Sequence, residues 1–208
     1  MSNSKKILIL DTNIGNVGSV YRAIKNIGHH PLISNNKADF KDVTHIIFPG
    51  VGSFDHGMEK LLEYDLCNIL AEAVINKKTP FLGICLGMHL LASIGYENNK
   101  ETKGLNFIPG KVEQLDIDTK YKIPHMGWNE VNHDEKNILF QNIQNKKDFY
   151  FIHSYIFKTE NKNEIKAKTI YGTEFVSAIN KDNIYGVQFH PEKSLSDGIK
   201  LISNFLNI

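Results

Sequence analysis

A cysteine with a glycine on each side gives the clearest indication of chemistry in this sequence. Residues 83–87 read GICLG, so Cys85 stands two residues after Gly83 and two before Gly87. An apolar run precedes the motif and a helix-forming run follows, which predicts a sharp strand-to-helix turn with the thiol at its tip. Such a turn strains the central backbone and needs small neighbours, and the start of a helix favours a thiolate. A lone cysteine is more often a small buried hydrophobic residue, but the two glycines favour a nucleophile.

A nucleophilic thiol needs a base, and the segment GVQFHPE ends an apolar run with a histidine and a glutamate. His190 and Glu192 are two residues apart, so on an extended backbone their side chains leave on the same side. The carboxylate can then orient the imidazole and stabilise the imidazolium, as the acid of a catalytic triad does. Read alone, His-Pro-Glu is more often a turn, but together with the cysteine motif it predicts a Cys-His-Glu triad.

Acyl transfer also needs hydrogen-bond donors for an oxyanion. Gly50, Val51 and Gly52 follow the apolar run THIIF, where backbone N–H groups can turn toward a tetrahedral oxygen. The alternative is a nucleotide-phosphate loop, but neither the third glycine of a dinucleotide fingerprint nor a P-loop lysine follows. We expect an oxyanion hole here, because the carboxyl ends of parallel strands in one sheet converge.

The alternation of strand and helix patterns predicts how these motifs are positioned. Apolar runs at 5–10, 44–49 and 80–84 predict strands, and helical periodicity predicts a helix after the first strand and another over residues 55–77. Strands that alternate with helices pair in parallel. After a polar loop at 96–104, short alternating runs predict antiparallel strands, and SLSDGIKLISNFL predicts a closing helix with Ser194 or Ser196 as its N-cap.

No linker, internal repeat or low-complexity tract divides the chain. We therefore expect a single α/β domain over residues 1–208, with a mixed, mostly parallel sheet flanked by helices and with antiparallel strands in the C-terminal half. Both halves are expected to share one sheet and one core.

The composition argues against several classes of partner. The 24 Lys and Arg residues nearly balance the 23 Asp and Glu residues, so there is no electrostatic reason to expect nucleic acid or an anionic membrane. The sequence has no apolar run long enough to span a bilayer and no signal-peptide core, which predicts a soluble, cytoplasmic protein. Cys67 and Cys85 form no metal-ligand spacing, so neither a metal nor a cofactor is expected, and Cys67 is predicted to be inert core.

The three motifs in this order resemble a known family. The blocks PGVGSF (49–54), GICLGM (83–88) and GVQFHPEKS (186–194) are similar to those of class I, triad-type glutamine amidotransferases. The blocks PHMGWNEV (124–131) and FYFIHSY (149–155) resemble, within that family, the glutaminase subunits of imidazole glycerol phosphate synthases. Matching features cover almost the whole chain.

The resemblance implies a glutaminase that hydrolyses L-glutamine to glutamate and ammonia and passes the ammonia to a (β/α)8-barrel cyclase in a heterodimer of histidine biosynthesis. Cys85 would attack the carboxamide, His190 would protonate the departing ammonia and then activate water, and Glu192 would orient His190. The amide of Leu86 would join those of Gly50, Val51 and Gly52 at the oxyanion. The resemblance also implies low basal activity, for which we expect a Val51 amide that points away from the site until the partner acts.

The resemblance further assigns residues to the substrate and to the partner. His89, Ser154 and Tyr155 are candidates for binding the glutamine, with Tyr150 a further candidate and His153 equally compatible with a structural role. The positions that would face the partner or gate the ammonia passage are Asn13, Asn16, Met126, Trp128, Asn129 and Lys193. Trp128 is alternatively a core aromatic residue, although its polar neighbours favour the interface.

Two departures from the family pattern keep other interpretations open. The first turn reads DTNIGN where DYGxGN is common, and His89 replaces the usual glutamine that helps hold the substrate. A paralogous protein that supplies ammonia to bacterial surface-sugar biosynthesis is therefore the main alternative. An inactive scaffold protein is disfavoured because all three triad residues are present, and a cysteine protease gives the PHMGW block no role.

Overall fold

A mixed sheet runs through both halves of the chain. The computed structural model describes residues 5–98, 100–134 and 136–208. Within those ranges a nine-stranded sheet has the order β2-β1-β3-β4-β13-β12-β11-β8-β9, and a four-stranded sheet has the order β10-β7-β5-β6. The strands are β1 (Ile7–Leu10), β2 (Leu32–Ser34), β3 (His45–Gly50), β4 (Phe81–Cys85), β5 (Ile94–Glu97), β6 (Lys100–Lys103), β7 (Gly110–Gln114), β8 (His125–His133), β9 (Lys147–His153), β10 (Tyr155–Thr159), β11 (Ile165–Tyr171), β12 (Thr173–Lys181) and β13 (Ile184–Val187).

Helices cover both faces of the large sheet. They are α1 (Val17–Asn26), α2 (Phe54–Glu63), α3 (Cys67–Ala71), α4 (Leu86–His89) and α5 (Leu195–Leu206), with a π-helical turn at Glu72–Asn76 and 3₁₀ turns at Lys37–Phe40, Ile138–Phe140, Lys162–Glu164 and Pro191–Lys193. Side chains of β1 alternate between two buried clusters, with Ile7 and Ile9 on the face of α1 and α5 and Leu8 and Leu10 on the face of α2 and α3. None of the helices in the described part of the chain is long and apolar enough to cross a bilayer.

The five strands β2, β1, β3, β4 and β13 pair in parallel, and the other pairs of the large sheet are antiparallel. Strands β1, β3, β4 and β13 are buried along their whole length, as parallel strands covered on both faces must be. The register places Gly50 opposite Cys85 and Val187 opposite Ile84. The ends of β3, β4 and β13 therefore bring all three sequence motifs to one edge of the sheet.

The predicted continuous helix over residues 55–77 is wrong. Helix α2 ends at Glu63 because Asp65 takes a left-handed φ of +51° and the chain closes a Schellman motif, in which Leu66 N–H donates to Leu61 O at 2.8 Å and Asp65 N–H to Leu62 O at 2.9 Å. Leu62, in the last turn of α2, is 65% exposed, whereas its neighbour Leu61 is fully buried.

The predicted polar loop at 96–104 instead contains much of the β5–β6 hairpin, and Asn99 within it lies outside the described residues. This hairpin joins β7 and β10 in the small sheet, so both halves of the chain share the large sheet, as expected, but a second sheet holds the remaining strands. The apolar run DFYFIHSYIF divides at Ser154, where β9 ends in the large sheet and β10 begins in the small one. The alternating pattern did not indicate this change of sheet, because both halves bury one face.

Candidate active site

The backbone of Cys85 occupies the strained turn between β4 and α4. Its dihedral angles are φ +54° and ψ −110°, a conformation that non-glycine residues adopt rarely. A Cβ at position 83 would lie 2.4 Å from Gly87 O, and one at position 87 would lie 1.9 Å from Phe48 O. Only glycine fits at either position, so the motif is required by the close approach of β3, β4 and α4.

His190 and Glu192 form a buried pair after the end of β13. The extended backbone predicted for them is wrong, because Glu192 lies in the 3₁₀ turn Pro191–Lys193. Nδ1 of His190 lies 2.9 Å from Glu192 Oε1, and the two side chains are 3% and 1% exposed. Burial alone lowers the pKa of His190, but the nearby Cys85 sulfur and the Glu192 carboxylate raise it, to about 10. Nε2 of His190 is buried without a hydrogen-bond partner among the described residues, which leaves it available to the sulfur and to a reacting molecule.

Ser194 fixes the backbone of His190 to β9. Its hydroxyl donates to His190 O at 2.6 Å and accepts from Tyr150 N–H at 3.0 Å, while His190 N–H donates to Tyr150 O at 2.8 Å. Ser194 does stand at the start of α5 as predicted, but its side chain makes no capping hydrogen bond. The N-cap pattern correctly predicted that Ser194 begins α5, but it gave no indication of the hydrogen bond from the Ser194 hydroxyl to the backbone of the candidate base.

The residues 49–52 lie directly beside Cys85, as predicted for an oxyanion loop. The Val51 amide, however, donates to Ile14 O at 2.7 Å, and Gly52 takes a left-handed φ of +107°. The loop that contains Ile14 packs tightly here, because a Cβ on Gly15 would lie 2.4 Å from Pro49 O. In this structure one of the expected oxyanion donors is therefore held by the first βα loop.

A small cavity lies beside Cys85. Its volume is about 180 Å³. It is lined by Val51, Gly52, Cys85, Leu86, His89, Glu97, Ile152, His153, Ser154 and Tyr155. The three predicted substrate-binding residues therefore meet at one place, whereas Tyr150 does not line the cavity.

Glu97 is a cavity residue that the sequence did not indicate. Its Oε2 accepts the Phe54 N–H at 2.7 Å, and burial raises the pKa of its carboxyl group, against the effect of that hydrogen bond. It lies at the end of β5, inside a polar stretch that carries no motif. Only the pairing of β5 with the rest of the small sheet brings it to the cavity.

Comparison with known proteins decides the family. A family model described as glutamine amidotransferase class-I matches residues 8–208. The chain belongs to the class-I glutamine amidotransferase family. The resemblance of the three motifs is thereby confirmed, and with it the enzyme class.

The relatives of this amidotransferase carry consistent names. It is 49% identical over 200 residues to the imidazole glycerol phosphate synthase subunit HisH 2 of Methanococcus maripaludis, covering 96% of this chain and 98% of the relative. It is 42% identical over 203 residues to the subunit HisH of Leptospira borgpetersenii (96% and 98% covered) and 43% identical over 202 residues to HisH 1 of Campylobacter jejuni (97% and 100% covered).

Solved structures support the fold of the amidotransferase. The structure of PurLQS from Thermotoga maritima gives a TM-score of 0.74 at 17% identity, with 98% of each chain covered. A glutamine amidotransferase from the same organism aligns with a TM-score of 0.62 at 16% identity, covering 99% of this chain and 84% of that one. The predicted mixed α/β fold is confirmed.

His89 of the amidotransferase is buried at the end of α4, only 6% exposed. Its Nε2 lies 2.6 Å from Gln188 Oε1, and the Gln188 Nε2 lies 3.9 Å from Cys85 Sγ. Burial lowers the pKa of His89 to about 4, against the effect of the Gln188 hydrogen bond. Gln188 stands inside the GVQFHPE block, but that block gave no indication of a contact with the cysteine.

A chain of hydrogen bonds links the cavity wall to β8. His153 Nδ1 pairs with Tyr155 O at 2.9 Å, His153 Nε2 with His125 Nδ1 at 2.9 Å, and His125 Nε2 with Asn129 Nδ2 at 3.2 Å. Burial lowers the pKa of His125 to about 4 and, more than any other cause, that of His153 to about 3. Both imidazoles are therefore neutral at physiological pH, and His153 serves both the structure and the cavity wall.

Some of the predicted partner-facing residues are exposed on the surface, and others make contacts within the molecule. Met126 and Trp128 are 58% and 48% exposed on β8, which excludes the core alternative for Trp128. Trp128 packs edge-on against Tyr150 with ring centroids 6.0 Å apart, and Lys193 Nζ lies 5.6 Å above the same Tyr150 ring.

The two predicted asparagines of the first βα loop make contacts within the molecule. Asn16 begins α1 and accepts Ser19 N–H with its side chain at 3.3 Å, a capping contact that leaves the residue partly buried. Asn13 is exposed at a φ of +61°, and its side chain donates to Tyr64 OH at 2.6 Å. Cys67, predicted to be core, is only partly buried.

Proposed function

We propose that this amidotransferase hydrolyses L-glutamine to glutamate and ammonia through a thioester on Cys85. The observation that carries the proposal is the placement of a cysteine in a strained turn beside a buried imidazole–carboxylate pair, at the wall of a cavity sized for a small molecule. Because Cys85 and Glu192 raise the pKa of His190 to about 10, the imidazole is protonated at neutral pH, as the acid for a leaving amine must be.

The reaction proceeds in two halves. The Cys85 sulfur attacks the side-chain carbonyl carbon of glutamine, and the C–N bond breaks as His190 gives its proton to the departing ammonia. Water then attacks the thioester carbon and gives a proton to His190, and the C–S bond breaks to release glutamate and the thiolate. Glu192 holds the imidazole through Nδ1, so that Nε2 faces the reacting atoms.

The oxyanion that forms in each half is proposed to bind backbone amides of Gly50, Val51, Gly52 and Leu86. The hydrogen bond from Val51 N–H to Ile14 O supports the expected low basal activity, because a donor used elsewhere cannot stabilise the developing charge. A partner that moves the loop of residues 13–16 would release the amide.

The cavity offers groups for both ends of the substrate backbone. Glu97 is a carboxylate suited to the α-ammonium group of glutamine, and Ser154 and Tyr155, which line the same cavity, are the candidates for the α-carboxylate. His89 lines the same cavity.

The partner is proposed to be a (β/α)8-barrel cyclase that receives the ammonia in the cytoplasm for imidazole glycerol phosphate synthesis. The names of the relatives, all subunits of that synthase, support this proposal. The exposed apolar residues Met126 and Trp128 with Lys193 form a surface of the kind that protein interfaces bury.

Glutamate release tests the proposal. Wild-type protein with the barrel partner and the ammonia acceptor should produce glutamate at least about tenfold faster than protein alone, and Cys85→Ala should abolish the release. Cys67→Ser, which removes the other thiol, is the matched control and should keep wild-type rates. No glutamate from wild type under any condition, or an unchanged rate in Cys85→Ala, would refute the enzyme mechanism.

A second acceptor pathway is favoured by one observation. His89 stands where the family usually has glutamine. A protein that supplies ammonia to surface-sugar biosynthesis would share all of the chemistry above. Stimulation of glutaminase activity by a histidine-pathway barrel, compared with a barrel from a sugar gene cluster, separates the two.

A further inference from the structure

Gln188 forms a bridge between His89 and Cys85 that the triad mechanism does not use. Its side chain is fully buried, with Oε1 2.6 Å from His89 Nε2 and Nε2 3.9 Å from Cys85 Sγ. The backbone N–H of Gln188 donates to Ser177 O at 3.0 Å, which fixes the residue directly after β13. A buried carboxamide held at both ends has only two orientations, and these differ in what they present to sulfur.

The protonation of His89 decides between the two orientations. Burial keeps this imidazole neutral, so it carries one N–H, and a carboxamide oxygen can only accept a hydrogen bond. With Oε1 of Gln188 facing His89, the proton must be on Nε2. The NH₂ group of Gln188 then points to the Cys85 sulfur.

We propose that His89 is a positioning residue, whose Nε2–H holds the Gln188 carboxamide so that its NH₂ group donates to the Cys85 thiolate. The inference rests on the proposed role of Cys85 as nucleophile. His89 acts through Gln188, and Gln188 is the group that contacts the reacting sulfur.

The groups around the Cys85 sulfur explain why a hydrogen-bond donor is needed to stabilise the thiolate. The Ile152 carbonyl oxygen lies 3.8 Å from Cys85 Sγ and can only accept, so it suits the thiol and opposes the thiolate. The protonated His190 and the Gln188 NH₂ group favour the thiolate. The reversed carboxamide would place a second acceptor beside the sulfur, and the thiolate would lose this support.

The pH profile of alkylation by iodoacetamide measures the thiolate directly, in full-length protein without glutamine or partner. All variants are made in a Cys67→Ser background, so that Cys85 is the thiol that reacts. We expect His89→Leu and Gln188→Leu each to move the alkylation midpoint upward by about one pH unit, and so to slow alkylation below the midpoint about tenfold. His133→Phe, which removes a buried histidine stacked on Phe140, is the matched control and should leave the midpoint unchanged.

A comparison of the single variants with the double variant distinguishes a positioning role from a general loss of structure. If both residues act through one contact, the double variant shifts the midpoint no further than either single variant. His89→Gln, which restores a donor for Gln188 Oε1, should return the midpoint to within a few tenths of a unit of wild type. A wild-type midpoint in His89→Leu, or shifts that add in the double variant, would overturn the proposal.

A measurement on wild-type protein does not depend on any variant folding. Long-range ¹H–¹⁵N spectra distinguish the two neutral histidine tautomers, and His89 should show the proton on Nε2. A proton on Nδ1 would place the Gln188 oxygen against the sulfur and contradict the inference. Absence of glutamate release would refute the proposed function without changing either the tautomer or the alkylation midpoint, so the two failures are distinguishable.

Discussion

At the scale of single residues, the position of Cys85 depends on the absence of side chains at Gly83 and Gly87. A side chain at position 83 or 87 would enter the space of Gly87 O or Phe48 O, so α4 could not start immediately after β4. The strained φ of +54° at Cys85 is maintained by this packing rather than by its own preference. The thiol is thereby directed toward His190 and the cavity.

Glu97 provides a prediction at the same scale. Glu97→Gln keeps an oxygen that can accept the Phe54 N–H but removes the charge proposed to bind the substrate ammonium. Because hydrogen bonds to charged groups contribute roughly 1.5–3 kcal/mol, we expect KM for glutamine to rise about 10- to 100-fold with kcat nearly unchanged. Steady-state kinetics with the partner measure this effect, and Glu101→Gln, on the exposed strand β6, is the control. An unchanged KM would remove Glu97 from the substrate site.

At the scale of elements, three strand ends and the loops after them assemble the site. Strands β3, β4 and β13 are adjacent, so the residues that follow them converge although they lie far apart in sequence. The first βα loop joins this group through Ile14 O, which accepts the Val51 amide at 2.7 Å. The first βα loop, which the resemblance assigns to the partner, and the proposed oxyanion donor are therefore one hydrogen bond apart.

Gly15→Ala tests whether this hydrogen bond limits basal activity. The new Cβ would lie 2.4 Å from Pro49 O, so the two loops must separate and the contact between Ile14 and Val51 must weaken. We expect glutamate release without a partner to rise about tenfold, and stimulation by the partner to fall by a similar factor.

The matched control for that experiment is Gly18→Ala. Its new Cβ would meet Arg22 Nη1 at 3.5 Å, an ordinary contact on the same helix that leaves the loop undisturbed. Equal basal rates in Gly15→Ala, Gly18→Ala and wild type would show that the Val51 amide does not limit the reaction.

At the scale of the whole molecule, buried histidines make stability depend on pH. Burial, more than any other cause, lowers the pKa of His45, His89 and His125 to about 4 and that of His153 to about 3. Between about pH 4 and pH 6.5 the unfolded chain binds these protons and the folded protein does not. The stability that the neutral histidines contribute is thus fully present above about pH 6.5 and is lost as the pH falls through about 4.

The pKa shift of His190 has the opposite effect on the pH dependence of stability. With a pKa raised to about 10, it contributes stability that is fully present below about pH 6.5 and is lost as the pH rises through about 10. Urea unfolding should therefore give a maximum near neutral pH. Each such proton adds about 1.4 kcal/mol per pH unit to the slope of the unfolding free energy against pH. His45→Phe should therefore reduce the slope on the acid side by about one proton. His30→Asn, at an exposed position, is the control and should leave the slope unchanged. A pH-independent unfolding free energy between about pH 4.5 and 6.5 would contradict these assignments.

Local sequence determined the chemistry of this protein, because the necessary features are short-range. The GICLG turn needs its glycines within two residues of Cys85, and the pairing of His190 with Glu192 is formed within two residues by the 3₁₀ turn at Pro191–Lys193. The order of the blocks PGVGSF, GICLGM and GVQFHPEKS was enough to indicate the family that the comparison then confirmed.

Only the tertiary structure decided what each group contacts. Glu97 reaches the cavity through a second sheet, Ser194 binds the His190 backbone instead of capping α5, and His89 is paired with Gln188 in the interior. These partners are separated by 99 residues for His89 and Gln188, and by a change of sheet for Glu97. Periodicity describes which face of an element is buried but carries no information about the side chain that meets it, which depends on register and packing across the whole fold.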